Sequence, residues 1–129
     1  MEKKILIVDD EKYLLQLYIE AFSEVGYTVR SAESAEKALE ILKHENLQVM
    51  FLDLKLPGKS GVDLCRQIRK DTPMAVIYAV TGYSSLFEPS DCYEAGFDDY
   101  FTKPVDLEIL FKAAQDAFEK LDIQKDEKG

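Results

Sequence analysis

The chain is poor in the residues that build thiolate metal sites and disulfide frameworks. Its 129 residues include two cysteines, one histidine and no tryptophan. Cys65 and Cys92 do not form a C-x-x-C pair, and His44 is the only histidine, so the sequence argues against a zinc site. We expect both cysteines to be reduced thiols that are at least partly buried.

Two further features are missing: a long apolar run and an excess of positive charge. The first apolar segment, residues 5–8, is too short for a signal peptide or a membrane span, so a cytoplasmic location is the default. Acidic residues outnumber basic ones by 25 to 16, which gives a formal net charge of −9. This balance argues against direct binding to nucleic acid, which needs a basic surface, and against docking on an anionic membrane.

The composition is that of one globular domain. Hydrophobic residues make up 47% of the chain and charged residues 32%, and the length suits a single core. We place the domain at residues 1–122. The charged segment 123–129 is expected to be a frayed C-terminal tail.

Short apolar runs alternate with segments of helical periodicity along the chain. Residues 5–8 and 49–52 are apolar at nearly every position, as expected for strands buried on both faces. Ser34 is a candidate N-cap of the second helix, and Pro89 fits the first turn of the fourth, which leaves residues 83–88 as an irregular loop. The predicted strands are residues 5–8, 28–31, 49–52, 75–80 and 99–102, and the predicted helices are residues 13–25, 34–44, 60–70, 88–95 and 106–121.

Five repeats of a strand followed by a helix predict an α/β fold, a doubly wound parallel sheet with helices on both faces. Ligands in such open sheets bind at the carboxyl ends of the strands, near the point where the strand order reverses. The residues that follow each strand are therefore the candidates for function.

Polar side chains follow four of the five predicted strands. Asp9 and Asp10 follow the first strand, Asp53 the third, Thr81 the fourth and Lys103 the fifth. Clustered carboxylates repel one another unless a cation neutralises them, and Mg²⁺ prefers oxygen ligands of this kind. A metal, an ammonium and a hydroxyl around one aspartate would suit the oxygens of a transferred phosphoryl group.

Each of these fragments also has a simpler explanation. An Asp-Asp pair after a strand is more often a helix N-cap than a metal ligand, and Asp9 or Asp10 can cap the first helix as well. A Lys-Pro pair is usually part of a loop, and a lone aspartate can form a turn. Their joint occurrence at the ends of four strands favours a common site.

Taken in order, these motifs resemble the response-regulator receiver family of two-component signalling, the CheY-like domains. The matching segments are ILIVDDE at 5–11, MFLDLKLPGKSG at 50–61, AVTGY at 79–83 and YFTKP at 100–104. The resemblance runs from Lys4 to about Leu121. It implies a flavodoxin-like (βα)5 fold with the strand order 2-1-3-4-5.

The resemblance implies a phospho-acceptor and a metal site. Asp53 would be the acceptor. Mg²⁺, for which Mn²⁺ can substitute, would be held by Asp9, Asp10, Asp53 and the backbone carbonyl of Lys55. Asp10 would be a direct ligand, and Asp9 would act mainly through a metal-bound water.

The resemblance also implies a switch. Lys103 would pair with a phosphoryl oxygen, and Thr81 would donate a hydrogen bond to the phosphoryl group and move towards it. Tyr100 matches an aromatic residue whose rotamer changes with Thr81, although a simply packed ring is the alternative. Pro104 would follow Lys103 across a cis peptide bond, which is an allowed exception for proline.

The implied function is that of a signalling receiver rather than an enzyme. A sensor histidine kinase or a histidine phosphotransfer protein would donate the phosphoryl group, and an output protein or domain would bind the altered surface. The receiver would be a monomer or a phosphorylation-linked dimer. Tyr83 would shield the acyl phosphate from water, and Leu86, Phe87 and Pro89 mark either an unusual partner preference or an ordinary local variant.

Two alternatives remain open at this point. One is a degenerate receiver that binds partners without phosphorylation. The other is a metal-dependent phosphatase or hydrolase with an aspartyl nucleophile, against which Lys55 stands where a second carboxylate would be expected, two residues after Asp53.

Overall fold

The computed structural model describes residues 2–82 and 89–128, with side chains up to residue 124. Five strands alternate with five helices in these segments. The strands are β1 (Lys4–Val8), β2 (Thr28–Ala32), β3 (Val49–Leu52), β4 (Val76–Thr81) and β5 (Asp99–Thr102). The helices are α1 (Lys12–Glu24), α2 (Ala35–His44), α3 (Gly61–Asp71), α4 (Pro89–Ala95) and α5 (Leu107–Lys128).

The strands form one parallel sheet in the order β2-β1-β3-β4-β5. This confirms the predicted doubly wound fold and its implied strand order. The order reverses at β1, between β2 and β3, so the carboxyl ends of β1 and β3 border the crevice where such sheets bind ligands.

Two hydrophobic clusters fill the space on either side of the sheet. One cluster joins the sheet to α2, α3 and α4, and the other joins it to α1 and α5. The second contains a row of rings, in which Phe51 lies 5.5 Å from Phe22 and 5.3 Å from Tyr78 between ring centroids. Because β1, β3 and β4 are covered on both faces, their carboxyl ends are held in fixed relative positions.

Most predicted element ends lie within two residues of the observed ones. β3 and β5 match the prediction at both ends, Ser34 accepts a hydrogen bond from the backbone N–H of Lys37 as the predicted N-cap, and α4 begins at Pro89. The predicted loop over residues 83–88, with Tyr83, Leu86 and Phe87, lies outside the described residues.

The prediction was wrong about the last helix. α5 continues to Lys128, although a helix end at Leu121 was expected. The fraying expected for residues 123–129 stays a prediction. Residues 122–128 contain no glycine or proline and are mostly good helix formers, so nothing in their sequence ends the helix before Gly129. Charge alone was therefore a poor signal for a helix end.

Cys65 and Cys92 are both free and buried, as expected for reduced thiols. Burial raises the pKa of Cys65 to about 12, which keeps this thiol protonated at neutral pH. Within the segments that the structure describes, none of the helices combines the length and apolar character needed to cross a lipid bilayer.

Candidate functional site

The strand register brings Asp9 and Asp53 side by side. Val8 and Leu52 are partners in the pairing of β1 with β3, and each aspartate is the next residue in its chain. The backbone N–H of Asp53 donates to the carbonyl of Val8 at 2.9 Å, which extends the ladder by one bond beyond the strands. Both side chains are buried, with 2% exposure for Asp9 and 6% for Asp53.

Lys103 reaches the same place from β5. Its backbone N–H donates to the carbonyl of Thr81 at 2.8 Å, so the end of β4 fixes the residue that follows β5. Its ammonium donates to Asp9 Oδ2 at 2.8 Å and to Asp53 Oδ2 at 3.2 Å. The peptide bond between Lys103 and Pro104 is cis. Lys103 thus bridges the two buried carboxylates in this structure.

Asp10 completes an acidic group. One carboxylate oxygen from each of Asp9, Asp10 and Asp53 lies within 4.8 Å of the others. Asp10 is exposed, while the other two are buried, so the group opens to solvent on one side. Three hard oxygen donors around an open position fit a Mg²⁺ ion that keeps several of its waters.

The pKa values of Asp53 and Lys103 are both shifted by their burial and by their neighbours. Burial raises the pKa of Asp53, Lys103 opposes this, and Asp9 adds to it, so the pKa lies above its usual range. Burial lowers the pKa of Lys103, but the two carboxylates outweigh this, and the net pKa is raised. The site therefore holds a firmly protonated lysine beside a carboxylate that is costly to ionise without a further cation.

The first turn after β3 passes very close to Asp53. An ideal Cβ on Gly61 would lie 2.0 Å from the carbonyl oxygen of Asp53 and 2.8 Å from the Cα of Leu54. The N–H of Gly61 also donates to the carbonyl of Leu54 at 2.9 Å. Glycine is therefore required here by the close approach of two backbone segments, and α3 is packed directly against the backbone of Asp53.

The structure separates the capping explanation from the site explanation. The N-cap residue of α1 is Glu11, and it makes no side-chain cap. Asp9 instead accepts the N–H of Glu11 through Oδ1 at 2.9 Å, while its other oxygen binds Lys103. Asp53 similarly accepts the N–H of Lys55 through Oδ1 at 3.2 Å. Each buried carboxylate thus has one oxygen fixed by a local turn and one directed to the lysine.

Thr81 and Tyr100 lie near the same end of the sheet. Thr81 is the last residue of β4, because the strand ends one residue later than predicted. Its exposure is 0%. Ala79 pairs with Tyr100, and its side chain and the Tyr100 ring both pack in the cluster on the α4 side. Since side chains alternate along a strand, Thr81 faces the same side as Ala79. Their roles as a switch pair stay predictions.

Tyr18 was not among the residues predicted for the site, although it lies on α1 close to it. Its side chain is buried, and this burial raises its pKa. Lys103 opposes the rise in the Tyr18 pKa, while Asp9 and Asp53 add to it. The group therefore lies within electrostatic reach of the site. The sequence feature that could have marked Tyr18 is its hydroxyl, which stands among the apolar residues of the helix that follows Asp9 and Asp10.

Asp53→Asn is expected to stabilise the metal-free protein near neutral pH by about 0.5–2 kcal/mol, because it removes a buried charge at a functional site. Because the pKa of Asp53 is raised in the folded chain, its carboxyl binds more protons there than in the unfolded chain. The free energy of unfolding of the original chain therefore falls as the pH rises from the ordinary pKa of 3.8 through the raised one. The stability gained by Asp53→Asn should therefore shrink as the pH falls towards 3.8. Urea unfolding across this range measures it.

The exposed Asp122 provides a matched control for this comparison. Asp122→Asn removes the same charge without changing a buried group and should leave the free energy of unfolding nearly unchanged. A metal-free Asp53→Asn protein that is less stable than the original chain at neutral pH would contradict the prediction.

Residues 5–115 match the family model described as the response regulator receiver domain. A cyclic di-GMP phosphodiesterase of Thermotoga maritima is 37% identical over 82% of this chain and 28% of its own length. A receiver domain protein (CheY-like) from Methanospirillum hungatei superposes with a TM-score of 0.88 at 34% identity, covering 98% of this chain and 99% of that one.

A third similar structure is a response regulator protein from Burkholderia pseudomallei, described with a phosphorylated aspartic acid, a calcium ion and citrate. It has a TM-score of 0.81 and 28% identity, and the match covers 98% of this chain and 73% of that one. The chain spans between 25% and 47% of the length of four curated relatives.

Proposed function

The chain belongs to the response regulator receiver domain family, and we propose that it accepts a phosphoryl group on Asp53 in a Mg²⁺-dependent step. A receiver domain is a signalling domain. The observation that carries the proposal is the convergence of Asp9, Asp10 and Lys103 on the buried carboxylate of Asp53, from the ends of two other strands.

Asp9, Asp10 and Asp53 would hold the metal, with the backbone carbonyl of Lys55 as a further ligand. The fit rests on three carboxylate oxygens within 4.8 Å of one another at an open edge. When bound, Mg²⁺, or Mn²⁺ in its place, would neutralise these carboxylates and polarise the phosphoryl oxygens. Neutralising Asp9 would also leave the Lys103 ammonium available for a new partner.

In the proposed step the phosphoryl group passes from a histidine nitrogen to a carboxylate oxygen of Asp53. A carboxylate oxygen of Asp53 attacks the phosphorus of a phosphohistidine, a P–O bond forms, and the P–N bond breaks. The electron pair of that bond stays on the imidazole nitrogen. Lys103 supplies positive charge to the phosphoryl oxygens, and burial of Asp53 limits the access of water to the product.

The signal would then pass to the surface near β4 and β5. The new dianion attracts the Thr81 hydroxyl and the Lys103 ammonium, and Tyr100 follows Thr81. A sensor histidine kinase or a phosphotransfer protein is the donor, and an output protein or domain is the reader. The proposal includes a cytoplasmic location, a receiver spanning residues 1–122, and either a monomer or a phosphorylation-linked dimer.

The similar proteins support this proposal. The structure from Burkholderia pseudomallei carries both a phosphorylated aspartic acid and a divalent cation, which is the combination proposed here. The longer curated relatives suit a receiver that acts on an output domain.

The test is incubation with Mg²⁺ and acetyl phosphate, followed by measurement of the intact mass. We expect the addition of one phosphoryl group, which requires Mg²⁺ and disappears in Asp53→Asn. No addition to the folded chain would favour a receiver that acts without phosphorylation. Steady hydrolysis of p-nitrophenyl phosphate would instead favour the hydrolase that the sequence left open.

A further inference from the structure

The C-terminal end of α4 is held by one arginine. Arg69, on α3, donates from one terminal nitrogen to the carbonyls of Pro73 at 2.8 Å and Ala75 at 2.5 Å. Its other terminal nitrogen donates to the carbonyl of Gly96 at 2.5 Å and to Asp98 Oδ2 at 3.1 Å. All four terminal hydrogens of the guanidinium therefore have an acceptor, which fixes its orientation.

Asp98 extends this attachment into the sheet. Its backbone N–H donates to the carbonyl of Ile77 at 2.7 Å, and its Oδ2 accepts the N–H of Ile77 at 2.8 Å. Its other oxygen accepts from Lys120 of α5 at 3.3 Å. A single carboxylate thus joins α3, β4 and α5 just after the end of α4.

The packing at this end of α4 is equally close. Gly96 has a φ of +112°, and a Cβ there would lie 3.1 Å from Arg69 Nε, so the guanidinium rests against the glycine. Cys65 Sγ of α3 donates to the carbonyl of Ala95 at 3.6 Å, and Ala95 and Phe97 are buried. A larger residue at 96 would displace the arginine.

The other end of α4 is different. Pro89 and Ser90 are exposed, and in the chain they follow Thr81 and Gly82, which lie at the edge of the sheet that carries Asp53. Among the described residues, the first two of α4 are exposed, while the residues at and just after its opposite end are packed and bonded to α3, β4 and α5.

We propose that Arg69 and Asp98 form a pivot that fixes the C-terminal end of α4, so that occupancy of Asp53 moves α4 chiefly at its N-terminal end. This inference rests on the proposed function. The pivot would turn a small displacement at Thr81 into a rotation of the helix about a fixed point. Loosening it would let the displacement spread into residues 96–98.

Amide hydrogen exchange followed by NMR tests the pivot, with beryllium fluoride and Mg²⁺ as the phosphoryl mimic. In the original chain we expect the mimic to shift the amide resonances of residues 90–92, which lie in the first turn of α4. We expect it to leave the resonances and the exchange of Phe97 and Asp98 unchanged. Arg69→Met should speed exchange at Phe97 and Asp98 on the order of tenfold or more without the mimic, since charged hydrogen bonds are lost. In this variant the mimic should also affect residues 96–98.

Arg66→Met is the matched control. Arg66 lies on the exposed side of α3, where it pairs with Asp63 at 3.2 Å, and its loss should leave Phe97 and Asp98 protected. Arg69→Lys keeps the charge but not the four bonds, so it should give an intermediate increase and carries the test if Arg69→Met does not fold.

Two results would overturn the pivot. One is equal exchange at Phe97 and Asp98 in Arg69→Met and Arg66→Met. The other is an original chain in which the mimic changes residues 96–98 as much as residues 90–92. If the mimic changes the NMR signals and the exchange of no residue, both the pivot and the proposed function are contradicted. The measurement without the mimic still shows whether Arg69 holds this end of α4, which distinguishes the two failures.

Discussion

Lys103→Met is expected to slow the labelling of Asp53 by acetyl phosphate by roughly 100-fold or more, because it removes a buried positive group that faces the developing phosphoryl charge. The ammonium donates to both Asp9 and Asp53 and is 14% exposed, so solvent cannot replace it readily. The initial rate of mass addition at saturating Mg²⁺ gives the measurement.

Lys112→Met is the control for this substitution. Lys112 lies on the exposed surface of α5, where its ammonium pairs with Asp116 one helical turn away at 3.1 Å. The control should be labelled at the original rate. Equal rates in the Lys103 and Lys112 variants would show that Lys103 only neutralises the carboxylates before the metal binds.

Gly61→Ala is expected to destabilise the fold by about 3 kcal/mol, at or above the upper end of the usual cost of overpacking. The added Cβ would meet the Asp53 carbonyl at 2.0 Å, so either β3 or the start of α3 must move. Gly61 does not have a positive φ, and the effect is therefore steric. Urea unfolding measures the loss, and labelling of the remaining folded protein should also be slower.

Gly82→Ala is the natural comparison. Among the residues that the structure describes, a Cβ on Gly82 would meet the side chain of Lys103, at 3.8 Å or more, which is an ordinary contact. Its free energy of unfolding should stay within about 0.5 kcal/mol of the original value. A Gly61→Ala protein as stable as Gly82→Ala would contradict the account of how α3 is packed on Asp53.

The sequence predicted the parts of the site that depend on strand ends. Residues 49–52 are apolar throughout and end at Asp53, and the same pattern places Asp9 and Asp10 after residues 5–8. Parallel pairing is enough to bring such residues to one edge, because each strand contributes the residue that follows it. Asp9 and Asp53 met as predicted for this reason.

Contacts that depend on backbone atoms from distant segments could not be predicted in this way. The approach of Gly61 to the Asp53 carbonyl depends on the path of a turn, and a glycine in the sequence does not say which backbone it meets. Three of the four acceptors around Arg69 are carbonyls, which every residue carries, so no residue type marked them beforehand. The extension of α5 was not predicted because a charged C-terminal segment is typical of frayed ends, although the lysines and the glutamate in residues 122–128 favour a helix.

The most direct test of the central claim is to find which side chain carries the phosphoryl group. The chain is labelled with acetyl phosphate and Mg²⁺, reduced with borohydride, which converts an acyl phosphate to an alcohol, and mapped by peptide mass spectrometry. We expect homoserine at position 53 and unchanged aspartate at Asp9 and Asp10. Homoserine at position 9 or 10, or a labelled chain with Asp53 unreduced, would contradict the assignment of Asp53 as the acceptor.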